Sequence, residues 1–330
     1  MVYAPTTTAE EPPPPRRRRG RKRKIGVAVL VVLAVLLGVG YVSLDGRLQK
    51  EEALPDYAGR IEDTPGTNWL IVGSDSREGL TSDDRKKLKT GKAEGKRTDS
   101  IMLLHYGDGG TTLVSIPRDS YVDIPGKGKN KINAAYAFGG PALLAQTVEK
   151  STGIRIDHFA EIGFGGFVGV VDAVGGVDIC VKKRLKDVKA GLNLKKGCQT
   201  LDGGQALGYV RTRQYANGDL ERIKNQREFF SALIDKATSP GTLLNPFRSV
   251  PLAWNSTGNF TVDEDSSLLD LARMMWAMRG LTGGDGKTLS VPFGGFGSSA
   301  VGSYVTWDAA KSEALFEALR KDSPVPDGLK

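Results

Sequence analysis

The sequence predicts a three-layer α/β/α domain with a central mixed sheet, preceded by one N-terminal transmembrane helix. Three observations carry this reading. Short apolar runs at 69–73, 100–106 and 112–116 are bounded by polar and turn residues, the pattern of buried strands. Strand-like and helix-like segments alternate from Pro141 to Val181, as in layered α/β domains. An uncharged run from Ile25 to Val42 has the length of a short membrane-spanning helix.

Charge assigns the N-terminal region. Of the formal net charge of +8, residues 1–24 contribute +6, and the run RRRRGRKRK (16–24) lies directly before the apolar stretch. The remaining 306 residues carry only +2, which argues against a nucleic-acid-binding surface despite the high isoelectric point. By the positive-inside rule, 1–24 is a cytoplasmic basic tail, 25–42 the anchor and the rest extracytoplasmic. A cleaved signal peptide is the alternative, but no small-x-small site follows the apolar run. Thr, Pro and Glu dominate residues 1–15, a composition of disorder. Residues 43–65, with Pro55 and Pro65, read as a juxtamembrane linker leading to a domain over 66–330.

The next stretch organises the chain. Strand 69–73 ends in Asp75 and Arg77. A long charged loop over 76–96 follows, either a lid or a mobile solvated surface. Arg97 and Asp99 open the run 100–106, GDGG (107–110) signals a hairpin, and 112–116 leads into Arg118 and Asp119. A hairpin sets the start of its first strand beside the end of its second. Arg97 and Asp99 are therefore expected next to Arg118. If 69–73 runs parallel to 112–116, Asp75 and Arg77 reach the same rim, where open α/β sheets commonly bind ligands. Two carboxylates and three guanidiniums at one edge suit a divalent metal with a phosphate-rich ligand. Scattered surface ion pairs are the alternative.

Further along, 123–141 reads as a Gly- and Lys-rich loop near the rim. Asn133 and Tyr136 are ligand or turn residues within it. Pro141 opens a helix that Gly153 closes. Residues 156–164 form a strand with a structural His158, 166–176 a short helix and 177–181 another strand. Asp202 caps a short helix, and Arg211 and Arg213, two apart on extended chain, point the same way. Asp219 caps a helix whose stripe of Arg222, Gln226, Phe229 and Leu233 faces inward. A buried guanidinium needs an anion, either an internal carboxylate or a phosphate. Residues 238–262 read as loop-rich, 268–280 as an apolar helix, 288–296 as containing a strand and 307–320 as a terminal helix capped by Asp308. Cys180 and Cys198 are either a disulfide or two free buried thiols. GGDGKT (283–288) lacks the first glycine of a P-loop, and no Ser-His-Asp set is evident.

VGSDSR, RTDSIMLLH, VSIPRDSYVDIPG, KINAAYAFGG, GCQTLDGGQALGYVRTR and GDLERIKNQ, in this order, resemble the LytR-CpsA-Psr family, with a motif core over 66–237. The paired cysteines look like those of its actinobacterial members. The resemblance implies a membrane-anchored extracytoplasmic phosphotransferase that moves a glycopolymer from a polyprenyl-pyrophosphate carrier onto peptidoglycan. A pyrophosphatase side activity is also expected. It implies Mg²⁺ or Mn²⁺ on Asp75 and Asp99, a catalytic set of Asp75, Asp99 and Arg118, and a pyrophosphate held by Arg97, Arg118, Arg211, Arg213, Arg222 and Gln226, with Arg77 nearby. Where the family often has Arg-Gln-Gln, this chain has Asn225, Gln226 and Arg227. A non-catalytic polyprenyl-phosphate binder and a transcriptional attenuator are the competing readings.

Overall fold

The computed structural model describes residues 19–76, 80–90, 98–212, 219–281 and 286–329; for Asp99, residues 219–224 and part of the N-terminal helix it describes only the backbone. The chain divides into two compact units, residues 1–43 and 44–330. In the first, helix α1 (Arg19–Asp45) contains a segment from Gly26 that is long and apolar enough to cross a membrane, with a mean hydropathy of 2.7.

The second unit begins with β1 (Gln49–Glu51), β2 (Thr67–Ser74), α2 (Ser82–Lys87), β3 (Thr98–Tyr106) and β4 (Thr112–Ile116). A hairpin of β5 (Tyr121–Ile124) and β6 (Gly128–Lys131) leads into α3 (Ile132–Thr152), followed by β7 (His158–Ile162) and α4 (Phe164–Ala173). Two small ribbons come next: β8 (Val177–Val181) pairs with β11 (Gly197–Leu201), and β9 (Leu185–Asp187) with β10 (Leu192–Leu194). Helices α5 (Gly203–Arg211), α6 (Asp219–Thr238), α7 (Pro240–Leu243) and α8 (Pro246–Asn259) precede β12 (Phe260–Asp263) and α9 (Leu268–Met278). The chain closes with β13 (Lys287–Ser290), the hairpin β14 (Phe293–Ser299) and β15 (Gly302–Trp307), and α10 (Ala309–Arg320).

Seven strands form the central sheet in the order β1-β12-β7-β2-β3-β4-β13. It is mixed: β2 pairs parallel with β7 and antiparallel with β3, and β4 antiparallel with β3 and parallel with β13. Strict alternation along its central strands creates the layers. Leu70, Val72, Ile101, Leu103, Val114 and Ile116 bury one face against α3 and α10. Trp69, Ile71, Met102, Leu104 and Leu113 bury the other with Leu271 and Met274 of α9. Full burial of each such side chain is worth about 1.5–3 kcal/mol. A third cluster lies outside the sheet, where α4, α5, α6 and both ribbons enclose Phe167, Val171, Leu201, Leu207 and Phe229. The strand expected at 177–181 therefore belongs to this lobe and not to the sheet. There Cys180 and Cys198 are register partners joined by a disulfide, both solvent-exposed, which removes the alternative of buried thiols.

Several local expectations are corrected. The stretch read as a linker, 43–65, is part of the domain: β1 pairs with β12, Ala53 is fully buried, and the Ala53 and Leu54 N–H groups donate to Asp263 Oδ1 at 3.0 and 2.9 Å. Within the loop 76–96, Thr81 and Asp84 form a reciprocal capping box that starts α2. Residues 123–131 make a hairpin, and the following helix begins at Ile132, nine residues before Pro141. The helix is broken at Gly139 and Gly140, the latter at φ +65°, so Pro141 restarts it and Gly153 ends it in the left-handed conformation. Residues 238–262 hold two helices, because Pro240 and Pro246 each follow a capping side chain, Ser239 and Asn245. Asn133 donates its backbone N–H to the Arg118 carbonyl, and Tyr136 is buried with its hydroxyl donating to Glu161.

One buried ion pair fastens the first segment. Glu149 of α3, 1% exposed, accepts from Arg60 at 3.1 Å, from the Tyr57 hydroxyl at 2.6 Å and from the Ile156 N–H at 3.0 Å. Burial, then Glu149, push the Tyr57 phenol well above its ordinary range. Glu149→Ala leaves Arg60, 8% exposed, without its buried partner. We expect a loss of about 3–5 kcal/mol in urea unfolding.

At the sheet edge where β2 begins, Asp157 accepts the Asn68 N–H at 2.7 Å. Burial pushes its carboxyl up to about 6, opposed by that N–H and by Arg155 and reinforced by Asp63. The folded state therefore prefers the protonated acid. Its contribution is full below the ordinary value of 3.8 and is lost as pH rises through about 6. Asp157→Asn should gain thermal stability relative to wild type as the buffer moves from about pH 4 to about pH 7. Parallel melting curves with a constant offset would contradict this.

Candidate active site

The site is built where three central strands meet one edge of the sheet. Because β3 runs antiparallel to both β2 and β4, the end of β2, the start of β3 and the end of β4 lie side by side. Asp75 follows the last residue of β2. Asp99 lies at an irregularity: Gly73 pairs with Ser100 and Ser74 with Thr98, leaving Asp99 as the extra residue of a bulge. Bulges re-aim a side chain and end regular pairing. The two acidic positions are thus brought onto adjacent strand ends. A Cβ on Gly73 would come within 3.3 Å of Ser100 Cβ, so the glycine keeps this step close.

Arg118 follows β4 in a tight turn, closed by the Ser120 N–H to the Pro117 carbonyl at 2.9 Å. The turn is held on three sides. Ile132 N–H donates to Ser120 O, Val305 N–H to Asp119 O, and Trp307 Nε1 to Ser120 Oγ at 2.8 Å. The Arg118 guanidinium donates from Nε to Asp119 at 3.4 Å, and Lys131 pairs with the same carboxylate at 3.1 Å. These groups are partly exposed, so the pairing is weak.

The second bank of the site comes from the lobe. Asp202 caps α5 through a capping box with Gln205, and Arg211 is its last residue. Arg211 is therefore helical, not extended as its spacing from Arg213 suggested. Its guanidinium donates to the carbonyls of Leu88 at 3.2 Å and Lys89 at 3.4 Å, at the end of α2, and lies 4.8 Å from the Phe164 ring centre. A cation there satisfies helix-terminal carbonyls. On α6, Gln226 donates to the Val210 carbonyl at 2.8 Å. Arg222 lies one turn earlier on the same helix, on the side of Gln226. The Arg222 side chain and the residues Arg77, Arg97 and Arg213 lie outside the described residues.

Two cavities open between these banks. One, of about 470 Å³, is lined by Gly73, Ser74, Ser100, Phe164, Lys189, Arg211, Gln226 and Phe230. The other, of about 390 Å³, is largely apolar, walled by Met102, Leu113, Ile116, Ile234, Leu281, Val291, Phe293 and Phe296, with Arg118, Asp119 and Arg227 as its charged lining. Ser100, Gln226 and Phe230 line both. Each cavity thus holds a guanidinium identified from sequence, and the two share a wall. Sequence reading passed over the apolar lining. Residues 288–296, which include Phe293 and Phe296, read in the sequence only as containing a strand. Two phenylalanines separated by glycines on a short edge hairpin are the signal that was available.

Comparison with known proteins agrees with this architecture. Residues 42–320 match the model of the LytR_cpsA_psr family. The chain is 52% identical over 294 residues to the probable cell wall biosynthesis protein LcpB of Corynebacterium glutamicum, covering 88% of this chain and 70% of that protein. Among solved structures, a LytR-Csp2A-Psr enzyme from Actinomyces oris shares the fold, with a TM-score of 0.64 at 24% identity, over 82% of this chain and 96% of that one. TagT bound to LIIa-WTA is similar at 26% identity and a TM-score of 0.58, over 83% and 96% of the two chains. By the extent of the family match and the likeness to LcpB, the chain belongs to the LytR_cpsA_psr family.

Proposed function

We propose that this chain is a membrane-anchored phosphotransferase that moves a glycopolymer from a polyprenyl-pyrophosphate carrier onto peptidoglycan. The observation that carries the reading is the pair of adjoining cavities: one largely apolar, and one that sets Arg211, Lys189 and Gln226 beside Asp187 and apolar side chains. Such a pair matches a molecule that is hydrocarbon at one end and diphosphate-sugar at the other. The cell-wall name of LcpB and the ligand named with TagT support the same class of substrate. The apolar segment Gly26–Asp45 and the basic run before it support an anchored chain with its N-terminus in the cytoplasm.

In this reading a hydroxyl of the peptidoglycan glycan attacks the sugar-linked phosphorus. A P–O bond to the acceptor forms, the bond to the bridging oxygen breaks, and polyprenyl phosphate departs. Arg118 and Arg211 hold the oxygens on which charge accumulates, and Arg97, Arg213, Arg222 and Gln226 complete the cradle. Phosphoryl transfer of this kind gains its rate from positioning and charge stabilisation. A carboxylate of the rim, Asp75 or Asp99, accepts the hydroxyl proton. Water in place of the glycan hydroxyl gives the pyrophosphatase side reaction.

The acidic pair fits a divalent ion. Asp75 and Asp99 offer hard oxygen donors from neighbouring strand ends. Two carboxylates, with waters and phosphate oxygens, compose the usual Mg²⁺ or Mn²⁺ shell. When bound, the ion neutralises charge on the diphosphate. Asp75 and Asp99 are the residues that would hold it.

The test is transfer from a lipid-linked donor to glycan by the full-length chain in detergent. Arg118→Ala and Asp99→Ala should each lower turnover by about 10²–10³. Arg118→Ala should weaken capture of a prenyl phosphate, while Asp99→Ala should retain it. Wild-type turnover in both variants contradicts the proposal. Capture without turnover in the unmodified protein supplied with Mg²⁺ would assign a binding role instead.

A further inference from the structure

Helix α8 carries apolar side chains on two sides: Leu252 packs on the lobe core, and a second set faces outward. Its only buried residue is Thr257, and Asn255 and Asn259 face α4 across Gly166 and Gly169. A Cβ on Gly166 would lie 2.8 Å from Asn259 Cβ, so this polar side is packed tightly. The opposite side presents Phe247, Val250 and Trp254, spaced i, i+3 and i+7, with Leu244 just before the helix. Phe247 is 88% and Leu244 83% exposed. A surface helix normally buries such a stripe. A patch of this kind marks an interaction site.

The position of this stripe identifies what covers it. The chain enters the domain beside α8. Arg47 stacks on the Trp254 ring at 3.8 Å, Gln49 donates to the Gly258 carbonyl at 3.4 Å, and Leu48 is buried in the sheet's second face. Asp45 accepts the Leu268 N–H at 2.7 Å. The apolar segment that begins at Gly26 runs up to this entry point without an intervening linker. Along the chain, Arg47 stands two residues beyond the end of the apolar segment. Tryptophan and arginine there match the interfacial zone, where an indole sits at headgroup depth and a guanidinium reaches phosphate.

We infer that the outward stripe of α8, Leu244, Phe247, Val250 and Trp254, is a lipid-docking face that lies in the bilayer interface. In-plane helices of this type bury their apolar side in the headgroup–acyl boundary. The docking removes rotational freedom that the tether alone would leave, and so fixes the orientation of the domain over the bilayer. The inference rests on the anchor reading of the segment Gly26–Asp45, and the experiment separates the two.

The full-length chain is reconstituted into phosphatidylcholine–phosphatidylglycerol vesicles carrying a spin-label quencher either near the headgroup or near the bilayer centre. Tryptophan emission is compared with that of Trp254→Phe. The wild type should show a component quenched more by the shallow label than by the deep one, and Trp254→Phe should lose it. A Phe247→Glu, Val250→Glu double variant alters only exposed side chains. It should keep its thermal melt and stay with the vesicles, yet lose the quenching of Trp254. Equal quenching in wild type and Trp254→Phe overturns the inference. So does a Trp254 environment that is insensitive to both labels and changes on dilution, the sign of a second copy on this face. Alkaline extraction of the wild-type chain from the vesicles would remove the anchor reading and the docking face with it. Retention without Trp254 quenching would remove the docking face alone.

Discussion

Two-sided burial of β2, β3 and β4 is the constraint on which the remaining structure depends. Each strand has apolar side chains on both faces, and each face is closed by helices. A one-residue slip would exchange the two sets of neighbours along a whole strand, so the register is fixed by packing on both sides at once. Fixed register is what aligns the ends of β2 and β4 with the start of β3. The charged residues lie just beyond those ends, where the apolar pattern stops. The scaffold and the site are thus consequences of one pattern.

The opposite edge of the sheet shows how firmly this core is held. Asp322, after α10, accepts the Asp108 and Gly109 N–H groups at 2.8 Å each and lies 3.1 Å from the His105 ring. Burial alone would raise its carboxyl, but these donors hold it below the ordinary value. A Cβ on Gly107 would overlap the Asp322 carboxylate, so the glycine-rich hairpin turn also serves a contact from the far end of the chain. Fastening one edge leaves loops and bulges to the other, where ligands of α/β sheets bind.

The site combines two regions that fold around different cores. The strand ends supply Asp75, Asp99 and Arg118, whereas the α4–α5–α6 lobe supplies Arg211 and Gln226. Arg211 also ties the end of α2 to the lobe. The cavities lie where the sheet meets this separately packed lobe. The exposed apolar stripe of α8 includes Trp254, on which Arg47 stacks.

The amino-acid sequence by itself determined the apolar segment, the three central strands, the hairpin between β3 and β4, and the caps at Asp202 and Asp308. All of these are local: periodicity, turn chemistry and capping act over a few residues. It also placed the charged groups at strand ends, because they directly follow the apolar runs. Tertiary structure alone decided the rest. It drew residues 43–65 onto the domain through Glu149 and Asp263, acceptors about 90 and 210 positions away along the chain. It moved β8 out of the sheet, since five residues of alternating pattern fit a ribbon as well as a core strand. It made Arg211 helical, and it set a largely apolar cavity beside one lined by Arg211, because shape between distant segments leaves no periodic trace in any one of them.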